Sequence, residues 1–387
     1  MSFEGRLNIQ LRTTKGAADT VSIESTRPVF ASRVLHGKSV AESQQIIPLL
    51  FNICANAQAC AGVRACEQAL GVKVAAQTER LRDELVNMET LREHLWRILL
   101  DWPAFTGGEA DKQGMAEMVT IQRDYLQALC PNGNVFQFGG TDCQPDIAAL
   151  EGVFGRFVAL LQQKIFNQPQ GEWLLLAGQQ DFANWVAASK TVVGELIDQI
   201  MCAGWSDAGA CEFEALPQLT EEQLHQAMQD VNSVKQPQWS GRCRETSSLT
   251  RVGSPLLNAL QQVYGNGLLV RLVARLTEIA RLAERLLPNV AEAADDYQNS
   301  AFRQANPGIG QAAAARGQLV HRVELNGDII GNYQILAPTE WNFHPKGVVV
   351  QALSSLKGDP ESVEKQARLL INAIDPCVGY ELSIVPG

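Results

Sequence analysis

From Thr78 the apolar residues Leu81, Leu85, Met88, Leu91, Leu95 and Ile98 recur every three or four positions, a spacing that lines one face of a helix and excludes a strand. The same period predicts helices over about 111–129, 145–166, 181–202, 220–230 and 255–287, separated by Gly, Pro and Asn clusters such as Pro131 to Asn134. Ser39 and Glu42 have the spacing of a capping box and open a helical region that reaches Gly71, with Pro48 as a boundary or kink. Pro103 is expected to stop the helix that begins at Thr78. Strict alternation occurs at only two places. Leu7, Ile9 and Leu11 face Val21 and Ile23 across Gly16, and Leu319–Leu325 faces Ile329–Leu336 across Asn326 and Gly327, so each reads as a β-hairpin. Asn306–Ala315 reads as a small-residue loop, and Asp359 with Pro360 opens a last helix that runs through Ala367, Leu370 and Ile374 to Asp375 and Pro376. The expected fold class is therefore mainly α with small β elements (α+β), a central helix bundle with N-terminal and C-terminal β-hairpins. One domain over 1–387 is expected, divided into an N-terminal hairpin (1–30), a helical body (31–315) and a C-terminal hairpin with a closing helix (316–387).

With 46% apolar and 19% charged residues, the chain has the means to bury a large core. Its longest apolar runs, Ile46–Phe51 and Gly347–Val350, fall far short of the roughly 20 residues of a membrane span. Residues 1–11 lack the basic start and apolar stretch of a signal peptide. No membrane and a cytoplasmic location are expected. A net charge of −10 with no concentration of Lys and Arg argues against nucleic acid. Nine cysteines, an odd number on a long chain, suggest thiols or metal ligands rather than a disulfide framework. Cys60, Cys66, Cys130, Cys143, Cys202, Cys211 and Cys243 read as structural.

Four segments resemble the nickel-iron hydrogenase large subunit, in the same order along the chain. Glu4-Gly5-Arg6-Leu7, Leu35, Gly37, Cys54, Val63-Arg64-Ala65, Ala69-Leu70-Gly71 and Leu100-Asp101 are similar to its opening strand, its R-x-C-G-x-C-x-x-x-H motif and the following helices. Trp239-Ser240-Gly241 with Glu245–Arg251 is similar to E-x-G-P-L-A-R, and Ala315–His321 to P-R-G-x-L-x-H. Pro338-Thr339-Glu340-Trp341-Asn342 resembles P-T-x-W-N, and Asp375-Pro376-Cys377 resembles the start of D-P-C-x-x-C-x-x-H. Residues 104–235 carry no matching motif.

In the family four thiolates bind nickel, and two of them bridge to an iron that carries two cyanides and one carbon monoxide. The resemblance puts Phe51 and Tyr380 on two of the four cysteine positions, Gln58 and Ser383 on the closing histidines, and Ser32 on the proton-relaying glutamate. Cys54 and Cys377 alone remain. Nickel in an all-sulfur site needs its thiolates, so no nickel and no hydrogen activation are expected. An iron-dicyano-carbonyl fragment, Fe(CN)2CO, brings half its own ligands, and the resemblance implies metal ligation by Cys54 and Cys377. Arg316 then places a cation beside the fragment, Thr339 supplies a hydroxyl, and the backbone around Pro338 supplies N–H groups. Cys54 falls on a bridging position and Cys377 on a nickel-only one, which implies an iron displaced from its place in the enzyme. Only Ile384–Gly387 follow Ser383, so no counterpart of the tail that a protease removes in the family is expected.

This combination resembles the HupK/HoxV family of hydrogenase accessory proteins. It implies a non-enzymatic scaffold that holds Fe(CN)2CO transiently and passes it to the hydrogenase large-subunit precursor. The implied partners are a small HypC-like accessory chaperone and a HypD-type iron-assembly protein. The alternative is a metal-free large-subunit mimic that chaperones other subunits; a third reading is a redox enzyme with a different metal. Apart from the resemblance, Cys54 and Cys377 read as buried thiols, Arg316 as an ion-pair partner, and His321 and His344 as packed groups more often than ligands. Trp341 and Asn342 are expected to brace the loop that presents Thr339, and Leu268–Leu287 to pack in the core.

Overall fold

The computed structural model describes residues 5–14, 16–28, 31–286 and 304–386. Glu4, Leu287 and Gly387, placed above at the ends of segments, lie outside them.

Strands β1 (Leu7–Thr14) and β2 (Ala17–Ser25) form the first hairpin. Ser39 caps α1 (Val40–Leu50) through the expected box with Glu42, and a short turn at Asn52–Cys54 leads into α2 (Ala55–Leu70). Helix α3 (Ala76–Trp96) follows, then a wide π turn at Arg97–Asp101 and α4 (Trp102–Thr106). Pro103 was expected to end this run, yet it sits in the first turn of α4. A proline there gives up an N–H that has no helical partner anyway, so the chain continues to Gly107, whose φ of 83° ends it.

The middle of the chain is α5 (Lys112–Leu129), α6 (Ile147–Leu161), α7 (Gln170–Leu175), α8 (Gln179–Ala188), α9 (Val192–Cys202), α10 (Glu221–Ala227) and α11 (Val231–Lys235). The expected helix over 181–202 is split, because the Thr191 hydroxyl accepts from the Gly194 N–H and starts α9 afresh. Short α12 (Ser248–Arg251) precedes α13 (Pro255–Tyr264) and α14 (Leu268–Arg285), which Gly265–Gly267 divide. Among the described residues no single helix is long and apolar enough to cross a membrane.

The segment expected as a loop at 306–315 is instead strand β3 (Gly308–Ala314), and it lies inside the span assigned to the helical body. It pairs with β4 (Gly317–Asn326), which pairs with β5 (Ile329–Leu336), all antiparallel. The small residues serve close packing: a Cβ on Gly308 or Gly310 would run into the α2 backbone. Then come α15 (Pro338–Asn342), α16 (Val348–Ser354), α17 (Pro360–Ile374) and a strand with no expectation behind it, β6 (Tyr380–Pro386). Strand β6 lies parallel to β1 and makes β1 the centre of a β2-β1-β6 sheet.

One further correction concerns the cysteines. Cys130 and Cys143 form a disulfide, with Cα atoms 4.9 Å apart, across the 131–142 loop. Arg82 holds this loop, donating to Val135 O at 2.8 Å while its guanidinium pairs with Glu67 at 2.7 Å. Cys60 and Cys66 are free and buried, as expected.

Candidate functional site

Cys54 owes its place to the join between α1 and α2. There the Asn56 and Ala57 N–H groups, left without helical partners at the start of α2, donate to the Glu89 carboxylate of α3 at 2.8 and 3.0 Å. Arg92 donates to Ile53 O at 2.9 Å and fixes the preceding residue. Cys377 comes from the loop between α17 and β6, where Asp375 takes a φ of +66° and the Cys377 N–H donates to the Thr339 hydroxyl at 3.1 Å.

The two thiols meet at one cavity of about 40 Å³, lined by Cys54, Cys377, Arg316, Gln58, Phe51 and Pro338 among others. Burial pushes the Cys54 thiol well above its ordinary pKa, and the neighbouring Cys377 pushes it further. Burial also raises Cys377, while Arg316 and Arg27 work in the opposite sense. Thr339 is not among the lining residues; its contact is with the Cys377 backbone. Phe51 and Gln58, on two positions where the resemblance puts metal-site residues, both line the cavity. A larger cleft of about 750 Å³ shares Ile53, Arg316, Cys377 and Val378 with it and is rimmed by Trp96, Arg97 and Tyr380.

Arg316 is 3% exposed and lies between two carboxylates, Glu93 at 2.7 Å and Asp375 at 3.4 Å. Burial would discharge it, but Asp375 and Glu93 outweigh burial and keep it charged. Burial would likewise raise the Asp375 carboxyl, yet Arg316, Arg97 and Arg275 together hold it well below the usual range. Asn342 was expected to brace a loop presenting Thr339; its amide instead donates to Thr246 O at 2.8 Å and Arg316 O at 3.1 Å, tying α15 to the residues around Arg316. Trp341 is buried beside it. Arg251 donates to Ala315 O at 2.9 Å, just before Arg316.

His321 lies near the cavity wall in full burial, hydrogen-bonded to Gln58 and Tyr333. His344 lies elsewhere, its Nδ1 3.2 Å from the Cys243 sulfur. Ser32 is buried and donates to Tyr333 O, and Ser383 belongs to β6 opposite Gln10. Sequence reasoning missed Glu93, Glu89 and Arg97, which carry no motif. It quoted Asp375 and Gln58 without giving them a task. Among the described residues no three His, Cys, Asp or Glu side chains are grouped as a metal-ligand set.

The fold is that of the nickel-dependent hydrogenase large subunit. The [NiFeSe] hydrogenase of Desulfovibrio vulgaris Hildenborough superimposes with a TM-score of 0.65 over 94% of each chain at 17% identity, and a family model described as nickel-dependent hydrogenase matches residues 222–379. Within that class the chain is similar over nearly its full length to hydrogenase expression/formation proteins named HupK and HoxV. It is 29% identical to the hydrogenase expression/formation protein HupK of Azotobacter vinelandii, over 98% of this chain and 99% of the relative. It is also 29% identical to the hydrogenase expression/formation protein HoxV of Cupriavidus necator, over 95% of this chain and 94% of the relative.

Proposed function

We propose that this chain is a non-catalytic hydrogenase maturation scaffold that holds an Fe(CN)2CO fragment between Cys54 and Cys377 and passes it to a large-subunit precursor. The observation that carries the reading is the convergence of two thiols, distant in sequence, on one small cavity beside a buried arginine. Two sulfurs are too few to complete the shell of a six-coordinate iron, so an iron species held here has to bring ligands of its own. The void of about 40 Å³ is room for about three water-sized groups, and it adjoins the larger cleft through Ile53, Arg316, Cys377 and Val378. In this reading Arg316 faces the anionic fragment as a permanent cation, Pro338 forms part of the wall, and Thr339 holds the Cys377 loop in place. Phe51 fills one vacated sulfur position, so nickel finds no seat. A HypC-like chaperone and a HypD-type assembly protein deliver the fragment in the cytoplasm, and the relatives' names support a maturation role.

The test is the infrared spectrum of the protein purified from a host that carries the maturation genes. Cyanide and carbon monoxide bands are expected from the wild type, and their loss from Cys54→Ala and Cys377→Ala. A wild-type spectrum without those bands, or bands that survive both substitutions together, overturns the reading. Recovery of the partner proteins with both cysteines replaced and no bands at any stage would favour the metal-free mimic instead.

A further inference from the structure

Next to Cys54, three polar side chains form a buried chain. Gln58 stands one turn along α2, with its amide nitrogen 3.5 Å from the Cys54 sulfur. Its amide oxygen lies 2.8 Å from His321 Nε2, on β4. His321 Nδ1 lies 2.7 Å from the hydroxyl of Tyr333, on β5. His321 is 0% exposed, Gln58 2% and Tyr333 5%. Gly62, one further turn along α2, makes the arrangement possible, because a Cβ there would stand 3.0 Å from the Tyr333 hydroxyl oxygen and 3.4 Å from His321 Nδ1.

One chain of donors satisfies these contacts together. Burial raises the Tyr333 pKa well above its ordinary value, so the phenol keeps its proton and in this chain donates it to His321 Nδ1. That makes Nδ1 the bare nitrogen of the ring. Burial also holds His321 neutral at physiological pH, with a pKa lowered to about 3, so its single proton sits on Nε2 and points at the Gln58 oxygen. An amide whose oxygen is held this way has its NH2 turned toward sulfur. The orientation of Gln58 is set by groups two residues removed from the thiol.

We propose that Tyr333 and His321 are positioning residues that lock Gln58 as an N–H donor to the Cys54 sulfur, and that this bond weakens Cys54 as an iron donor so that the cargo can be given up. The proposal rests on the scaffold reading above and deepens it. An N–H that points at a thiolate draws electron density from the sulfur, which leaves less to pass through iron into bound carbon monoxide and cyanide; hydrogen bonds to ligating sulfur are a recognised means of tuning a metal centre. A sulfur that must bind and then release gains from a donor that is fixed and cannot titrate.

The experiment uses the full chain from the same host, with the variants Gln58→Met and Tyr333→Phe. Gln58→Met keeps volume and removes the donor. All diatomic bands are expected to move to lower frequency, and iron is expected to be lost several-fold more slowly from the purified protein. Tyr333→Phe keeps the ring and removes only the hydroxyl, so a smaller shift in the same direction is expected. In the iron-free wild type, nitrogen-15 spectra of His321 are expected to report the Nε2–H tautomer, and Tyr333→Phe a mixture. An Nδ1–H tautomer in the wild type, or bands and iron loss unchanged in Gln58→Met, overturns the lock and leaves the scaffold reading standing. Absence of bands from the wild type overturns both.

Discussion

Glu93 shows how much a single unadvertised side chain decides. It pairs with Arg316 at 2.7 Å from α3, and the adjacent Arg92 pairs with it from the other side. Glu93→Gln keeps the shape and removes the charge, so Arg316 is left to Asp375 alone. The expected loss is about 1.5–3 kcal/mol, the range for a charge-assisted bond, read as a lower urea midpoint at pH 7; an unchanged midpoint would show that Asp375 suffices. Thr339→Val strands the Cys377 N–H and is expected to lower stability by about 1 kcal/mol, with faster amide exchange at residue 377 as its local sign. Glu84 offers a pH test away from the cavity. Burial raises its carboxyl from 4.5 to about 7, while it accepts from the Tyr125 hydroxyl at 3.1 Å. Between those two values the folded chain holds more protons than the unfolded one, so this residue's contribution is present below about pH 4.5 and lost as pH rises through 7. Glu84→Gln keeps the acceptor without the titration and is expected to add about 1–2 kcal/mol at pH 8 and little at pH 4, measured by urea titration at both. Cys54, Cys377 and Arg316 could be read from the sequence because each stands in a motif with rigid spacing. Glu93 could not, because Glu79, Glu84, Glu89 and Glu93 on the same helix look alike until the fold decides what each one meets.

At the scale of elements, α14 departs furthest from what its pattern implied. The apolar period promised a helix with one face in the core, and the structure buries Leu268–Ala280 on every side, charges included. Arg271 meets Glu245 at 2.6 Å. Arg275 donates to Asn372 O at 2.9 Å and lies 3.6 Å from Asp375. Glu278 takes His94 and Arg251, each at 2.9 Å. These three side chains recur at helical spacing and fasten the segments that carry Glu245, Asp375 and the turn before Arg316. Arg271→Met leaves Glu245, 0% exposed, buried without its partner and is expected to cost about 3–5 kcal/mol in a urea titration, whereas Arg281→Met, on the exposed side of the same helix, is expected to change little. The helices themselves were legible because their period is local. Strand β3 was not, since a run of Gly, Ala and Gln has no alternation of its own and becomes a strand only because β4 pairs with it and α2 presses on it.

At the scale of the molecule, the sheet β2-β1-β6 ties the two ends together. Leu7 N donates to Gly379 O at 3.0 Å, two residues from Cys377, so the loop that presents this thiol is held by the first strand. A chain ended after Gly379 loses the seven residues of β6 and leaves β1 as an edge, with Leu7, Ile9 and Leu11 losing the cover that keeps them at most 1% exposed. Faster hydrogen exchange at β1 and at 375–379 is expected while α3 and α14 stay protected; equal protection in both would mean that the sheet does not hold the loop. Sequence alone could not anticipate this pairing, because parallel partners at opposite ends of a chain leave no local mark.

The same closure has a consequence in time. Cys54 leaves the ribosome early, and Cys377 follows 323 residues later (377 − 54), in a loop that the β6–β1 pairing helps to hold. Until the last part of the described chain has been made, the cavity has one of its two thiols and lacks the wall that Cys377 and Val378 supply.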